Sequence, residues 1–333
     1  MQKITLEKIA ADMGVSKVAV YKALNDKKGV SEALREKIKI YADSLGYVGK
    51  SSEADIKNKK YLFFVNQDFF LTPSEQFYSP ISYFLSAECT KTNSFLQIAF
   101  LENTNTVEKM KEVINTFVPN GLFVAGQTKP EVLKYLSSCR LPIVYIDYYS
   151  PIYSLHYIYV DNYNSSYMLT KYLIDNGHKK IGFVGNVSVT SSIADRFFGY
   201  RKALCEYGIK FDPVWHIDDN LEKNNNLSDV LPESIPTAYV CHCDAAAQKL
   251  YTALSLKGLK IPDDVSVVSF DDTPLCDNLF PALTSIGPKK DVFAKKAFNT
   301  MIDALNEKSK SSAIPIKAVL TKRDSVKELD RSE

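Results

Sequence analysis

The chain has no run approaching the roughly 18 consecutive apolar residues of a membrane-spanning helix. Its charged, amphipathic N-terminus holds no apolar signal-peptide core. The expectation is a cytoplasmic protein with no membrane partner. Cysteine is sparse and scattered: Cys89, Cys139, Cys205, Cys241, Cys243 and Cys276 show no paired spacing, so reduced, buried thiols are expected in that compartment. Cys241-His242-Cys243 lacks the second ligand pair of a zinc site, and no metal is expected. The four histidines, His156, His178, His216 and His242, stand in no triad or metal spacing. There is no G-x-G-x-x-G after a strand, no P-loop and no G-x-S-x-G elbow. No catalytic residue, cofactor or enzymatic activity is expected.

What is present is the material of a globular protein too long for one ordinary domain, so two to three are expected in 333 residues. The net charge of +2 hides an uneven distribution. Residues 1–60 carry 13 Lys/Arg against 8 Asp/Glu, whereas the rest of the chain is net acidic. A basic segment of that kind attracts a phosphate backbone and binds it in a salt-sensitive way.

That segment is built of three short amphipathic stretches. Leu6, Ile9, Ala10 and Met13 fall on one helical face at i, i+3, i+4 and i+7. Gly14-Val15 breaks the run, and Ser16 can cap a second helix. In that helix Val20, Ala23 and Leu24 face inward, with Lys17, Val18, Tyr21, Lys22 and Asn25 on the opposite face. A third segment after Ser31 buries Leu34, Ile38, Tyr41, Ala42 and Leu45. Two helices joined by a tight turn, the second with a basic outer face, describe a helix-turn-helix directed at duplex DNA. A plain helical subdomain with a solvated lysine face would share this pattern.

Ile4-Thr5-Leu6, Ile9-Ala10, Gly14-Val15-Ser16, Val20, Leu24-Asn25, Val30-Ser31, Arg35-Glu36-Lys37 and Leu45-Gly46-Tyr47 stand at fixed spacings. Together they resemble the DNA-binding headpiece of the lactose-repressor (LacI) family. The resemblance implies that Lys17, Val18 and Lys22 face bases, and that Thr5, Ser16, Asn25 and Ser31 contact phosphates. Helix capping explains Thr5, Ser16 and Ser31 equally well. Tyr21 stands where the family more often has serine. Residues 49–60 read as a polar hinge or linker. There Ile56 matches the family's minor-groove wedge, Gly49 replaces the usual proline and Glu53 replaces a small alanine. A hinge helix and a disordered linker both fit.

After residue 60 strands and helices alternate. Strand candidates cover 61–65, 95–100, 121–125, 142–146, 157–160, 180–184, 238–241, 265–270 and 283–286. Helical stretches cover roughly 74–92, 107–117, 130–138, 162–176, 195–208, 244–257 and 289–306. Such alternation means parallel sheets covered on both faces. Two series, 61–160 and 161–290, suggest two lobes with a cleft between them. Several segments of the second series also resemble the LacI family's effector-binding core. They are Asp161-Asn162, Gly177-His178-Lys179-Lys180-Ile181-Gly182, Arg196-Phe197-Phe198-Gly199-Tyr200, Cys243-Asp244-Ala245 and Ile261-Pro262-Asp263-Asp264 with the strand that follows. The expected architecture is an all-α helix-turn-helix headpiece (1–48), the hinge (49–60), and an α/β core (61–333). In that core each lobe is a parallel sheet flanked by helices, periplasmic-binding-protein-like, with a C-terminal segment crossing back.

Ligands of open α/β sheets bind at the carboxyl ends of strands. Asp271 lies at such an end, and Arg196 offers five donors in a fixed fork. Both match effector-binding positions of the resembled family. Asp147 and Tyr148 follow one strand; Cys243 and Asp244 follow another, Cys243 standing where the family often has asparagine. Ser192 and Thr190 can add hydroxyls. Phe77, in a cluster with Phe69, Phe70 and Tyr78, either stacks on a ring-shaped ligand or belongs to the core. The expectation is a homodimeric regulator, a repressor by resemblance, on a near-palindromic double-stranded DNA operator, with a small sugar or sugar derivative as effector. The competing expectation is a sugar-binding protein without regulatory DNA contact.

Overall fold

The computed structural model describes residues 5–24, 27–45, 56–67, 70, 77–101, 106–219, 226–306 and 311–329. Two compact units emerge, Met1–Lys57 and Asn58–Glu333.

The first unit contains α1 (Leu6–Met13), α2 (Lys17–Leu24) and α3 (Glu32–Ser44). Local chemistry sets each boundary. The Thr5 hydroxyl accepts from the Lys8 amide at 3.3 Å, Ser16 from Ala19 at 3.1 Å and Ser31 from Leu34 at 3.4 Å, each relieving an orphan helical donor. Gly14, at φ +64°, closes α1 in the left-handed conformation that glycine adopts without steric cost. Ile9, Ala10, Val20, Ala23, Ile38 and Ala42 form the core, with Leu6, Met13, Leu24, Leu34, Tyr41 and Leu45 packed around it, as the periodicity requires.

The second unit runs β1 (Lys60–Asn66), α4 (Tyr78–Thr90), β2 (Phe95–Leu101), α5 (Thr106–Phe117), β3 (Gly121–Ala125), α6 (Pro130–Ser138), β4 (Ile143–Ile146), β5 (His156–Val160), α7 (Asn162–Asp175), β6 (Ile181–Val184), α8 (Ser191–Glu206), β7 (His216–Ile217), β8 (Ala238–Cys241), α9 (Asp244–Leu256), β9 (Ser266–Phe270), α10 (Leu275–Asn278), β10 (Thr284–Pro288), α11 (Lys290–Leu305), β11 (Ser312–Ile316) and β12 (Ala318–Thr321). Strands β3, β4, β6, β8, β9 and β10 are buried along their whole length, which is why they read as unbroken apolar or small-residue runs. Strands β1 to β12 build two six-stranded sheets, ordered β11-β5-β4-β3-β1-β2 and β12-β10-β9-β8-β6-β7.

Three departures from the sequence reading have physical causes. Helix α8 begins at Ser191, four residues before the expected start, because the Thr190 hydroxyl caps it by accepting from the Ile193 amide at 3.2 Å. Strand β1 begins at Lys60, inside the segment read as linker, where Lys60 pairs with Phe95. The second sheet is not wholly parallel: β12 runs antiparallel to β10. The crossings between lobes explain this. The chain leaves the second lobe at the end of β10, adds α11 and β11 to the first lobe, and re-enters through Lys317. Strand β12 therefore starts where β10 ends. By the same logic β11, which leaves the first lobe as β5 does, pairs with β5 in parallel.

Candidate functional site

On the helix-turn-helix unit, Val18 and Tyr21 are exposed apolar side chains. Lys17 is 58% exposed and ion-paired with Glu7 of α1. Bonding to Lys17 first, then Glu7's own backbone amide and Thr5, holds the Glu7 carboxyl down to about 2. Lys22 is half-buried. The C-terminal end of α2 is fastened by Arg35, a buried residue. Its Nη1 donates to the Lys22 carbonyl at 3.3 Å and its Nη2 to the Lys27 carbonyl at 3.1 Å, satisfying acceptors that a helix end leaves open. Lys17, Val18 and Tyr21 thus share one solvent-facing surface. Thr5, Ser16 and Ser31 act as helix caps. Ile56 is half-buried. Asn25, Gly49 and Glu53 lie outside the described residues.

In the second unit a cavity of about 250 Å³ opens between the lobes. Phe77, Tyr78, Gln127 and Asp147 face it from the first lobe; Asn186, Ser192, Arg196, Asp219, Cys243 and Asp271 face it from the second. Asp147 directly follows β4 and Asp271 directly follows β9. Both sit at positive φ, +62° and +98°, conformations uncommon for non-glycine residues and concentrated at functional sites. The Asp147 amide donates to the Ile158 carbonyl at 2.7 Å, and the Asp271 amide to the Ile286 carbonyl at 2.9 Å. The adjacent strand therefore holds each strained turn in place.

Arg196 is buried in the second turn of α8 and uses all three of its nitrogens. Nε donates to Asn162 Oδ1 at 2.8 Å, Nη1 to the His242 carbonyl, and Nη2 to Asp271 Oδ1 at 3.2 Å. Its guanidinium also lies 4.5 Å from the Phe270 ring centre. Tyr78 donates to Asp147 Oδ2 at 2.9 Å, whereas Asp147 Oδ1 is buried without a hydrogen-bond partner. Burial drives the Asp147 carboxyl up to about 6; Arg196 opposes that rise, Asp271 adds to it, and Tyr78 and Lys290 oppose it. Lys290, at the β10–α11 crossing, donates to the Asp271 carbonyl and to Pro288. Burial lowers its pKa against the pull of Asp271 and the other nearby carboxylates.

Two residues expected here face elsewhere. Asp244 is buried behind the cleft. Its Oδ1 accepts from the Ser269 and Ser285 hydroxyls, and its Oδ2 from both the amide and the hydroxyl of Thr273. Those four donors leave no room for a ligand, so its role is to join β9 and β10 to α9. Tyr148 is not among the cavity-lining residues; it packs on Tyr145 and Tyr157, at 5.6 and 6.4 Å between ring centres. Cys243 does line the cavity and also caps α9, its sulfur accepting from the Ala246 amide at 3.4 Å. Phe77 has both characters considered for it: it is buried in the core and borders the cavity.

Sequence reading missed Gln127, Asn186, Asp219 and His242. Gln127 Oε1 accepts from the Ser191 amide at 2.7 Å, joining the end of β3 in one lobe to α8 in the other. Asp219 accepts from the Asn186 amide at 3.1 Å and pairs with His242 Nε2 at 2.9 Å. Burial pushes the Asp219 carboxyl up, and the His242 bond and charge outweigh it, so the net shift is downward. Asp219 follows the two-residue strand β7, too short to be recognised in advance, though a carboxylate after a strand was the available signal. A larger open depression of about 880 Å³ lies on the second lobe between Ile174, Tyr207, Phe211 and Trp215. It has no buried charged group converging on it, and the interlobe cavity is the better ligand site. Among the described residues no His, Cys, Asp or Glu side chains group as a metal site, and no helix is long and apolar enough to cross a membrane.

Comparison with known proteins agrees with this geometry. Residues 170–326 match the model of the periplasmic binding protein-like domain. The chain is 27% identical over 321 residues to the HTH-type transcriptional repressor PurR of Pasteurella multocida, covering 93% of this chain and 94% of that protein. It is 28% identical over 342 residues to PurR of Haemophilus influenzae strain PittEE, covering 98% and 99%. Among solved structures, the lac repressor dimer bound to operator and the anti-inducer ONPF superposes with a TM-score of 0.69 at 19% identity, over 98% of this chain and all of that one. A LacI family regulator from Enterococcus faecium with bound ribose gives 0.69 at 20% identity, over 82% of this chain and all of that one. These two show the fold. These relatives align over nearly the whole length of the chain, from the helix-turn-helix through both lobes, which supports a transcriptional regulator of the LacI kind.

Proposed function

We propose that this chain is a ligand-responsive DNA-binding repressor. It binds a near-palindromic operator as a homodimer and a small sugar-like effector in the interlobe cavity. One observation carries the reading: a single chain joins a helix-turn-helix surface of Lys17, Val18 and Tyr21 to a cleft where Arg196 meets Asp271. One headpiece makes a small interface with DNA, whereas two on a two-fold axis read paired half-sites. Lys17, Val18 and Lys22 are the base-facing side chains; Thr5, Ser16, Asn25 and Ser31 serve the phosphates, and Ile56 the minor groove. In the cleft, Asp147 and Asp271 accept from ligand hydroxyls, Arg196 donates to ligand oxygens, Phe77 covers an apolar face, and Ser192 and Cys243 complete the wall.

Ligand shifts the balance between two arrangements of the core only through a different affinity for each. Because the cavity takes residues from both lobes, an occupant bonded to both favours the closed arrangement. PurR repressors being the aligned relatives favours repression over activation.

The test uses the full chain. Selection from a random duplex pool should enrich a two-half-site sequence, and removal of residues 1–57 should abolish binding to it. Neutral mono- and disaccharides should be screened by thermal shift, since a ligand of the native state raises stability by mass action. A hit should change operator affinity. No enriched duplex, or a truncated protein that still binds it, would overturn the DNA reading. A stabilising sugar without effect on operator affinity would favour a sugar-binding protein instead.

A further inference from the structure

Glu7 is an unexpected residue at a DNA-facing surface. It lies in the first turn of α1, is 61% exposed, and pairs with Lys17, the first residue of α2. In a helix-turn-helix the N-terminal residues of the second helix reach base edges. A carboxylate bonded to the Lys17 ammonium is therefore at the DNA surface too. A phosphate-binding interface gains nothing from an acid there: it cancels one of the charges that attracts DNA and faces phosphates itself.

The pair does, however, match one base-pair edge. In the major groove guanine presents the O6 and N7 acceptors and its cytosine partner presents the N4 amino donor. An ammonium beside a carboxylate is the complementary donor–acceptor arrangement. We propose that Glu7 is a specificity-determining residue of the DNA interface, acting with Lys17 as a two-headed reader of one C·G pair in each half-site. On that pair Glu7 accepts from the cytosine amino group while Lys17 donates to guanine. On other DNA the carboxylate meets acceptors and phosphates and keeps Lys17 neutralised, so non-specific binding is weakened. The inference rests on the DNA-binding reading above.

An acid in the first turn of a helix also stabilises that helix through its dipole. This purely structural role would show in the melting temperature and would leave the salt dependence of binding unchanged.

The experiment compares wild type, Glu7→Gln and Glu7→Ala as full-length proteins. Each is titrated on the duplex enriched by the wild type and on a random duplex across a salt series. Glu7→Gln frees the Lys17 charge, so its random-duplex affinity should rise several-fold and its log K against log salt slope should steepen by about 0.9. Glu7→Ala should do the same and also lose on the order of tenfold in preference for the enriched duplex. Repeating the selection with Glu7→Ala should relax a C·G position that the wild type fixes. Unchanged slope and unchanged random-duplex affinity in both variants would overturn the proposal. So would equal gains on both duplexes with no change in the selected sequence. If the wild type binds no duplex, the DNA reading itself fails, and that result is distinct from either outcome.

Discussion

Arg196 Nη2 donates to Asp271 Oδ1 at 3.2 Å, tying the second turn of α8 to the end of β9 across the floor of the interlobe cavity. The same guanidinium holds Asn162 and the His242 carbonyl, so Arg196 both lines the cavity and supports the lobe. Removing one member of a buried ion pair costs about 3–5 kcal/mol. Arg196→Ala should therefore lower the unfolding temperature as well as effector affinity. Asp271→Asn keeps the shape and one acceptor. It should weaken binding of the stabilising sugar about tenfold or more, with operator binding in the absence of sugar largely retained. Calorimetry beside operator titration separates the two effects; wild-type sugar affinity in Asp271→Asn would remove Asp271 from the site.

Asp147 should give the cavity a pH signature. Its carboxyl is raised from 3.8 to about 6, chiefly by burial and Asp271, against the opposing charges of Arg196 and Lys290 and the Tyr78 bond. The sign follows from the raised value. Stability associated with its protonated form is complete below about pH 4 and is lost as the pH rises through about 6. Asp147→Asn should flatten that part of the stability profile and be more stable at pH 8, by on the order of 1–3 kcal/mol. A hydroxyl donated to the orphaned Oδ1 favours the ionised form, so sugar affinity of the wild type should rise between pH 5 and 7. Melting curves and calorimetry at those pH values check both; a variant with the wild-type profile refutes the assignment.

Lys22→Ala should lower the preference for operator over random duplex by about 1–3 kcal/mol, the worth of a base-edge contact. Non-specific affinity should fall less. Equal losses on both duplexes would make Lys22 a phosphate contact. Arg35→Ala should weaken both together by loosening the Lys22 and Lys27 carbonyls, with a lower melting temperature of the helix-turn-helix unit.

Gly199→Ala should destabilise the core. A Cβ on Gly199 would stand 2.1 Å from the Tyr163 carbonyl oxygen and 2.9 Å from Ser166 Cβ, where α7 and α8 approach most closely. Overpacking of this kind costs about 1–3 kcal/mol. A lowered melting temperature with retained sugar binding at low temperature is expected; an unchanged melting temperature would show that the helices can separate at no cost.

Much of the architecture was legible because its determinants are local. The 3.6-residue pattern of Leu6, Ile9, Ala10 and Met13 located α1, the apolar runs of β1, β3 and β8 located the strands, and alternation implied parallel sheets. Helix α8 begins earlier than its apolar pattern suggests because Thr190 caps it, and the same residue also lines the cavity. Strand β7 escaped notice because two residues carry no periodicity.

The sequence by itself determined the helix-turn-helix, the two-lobed order of elements and the presence of Arg196 and several strand-end carboxylates, since caps, periodicity and strand ends are properties of neighbouring residues. Only the tertiary structure decided which carboxylates face the cleft. Asp244 and Asp271 each follow a buried strand and are equivalent on the page. In the fold, Ser269, Thr273 and Ser285 converge on Asp244 and occupy both of its oxygens, whereas Asp271 meets Arg196. Those partners come from 25 to 75 residues away in the chain, and a lone pair already filled by a distant donor cannot be read from the residues beside it.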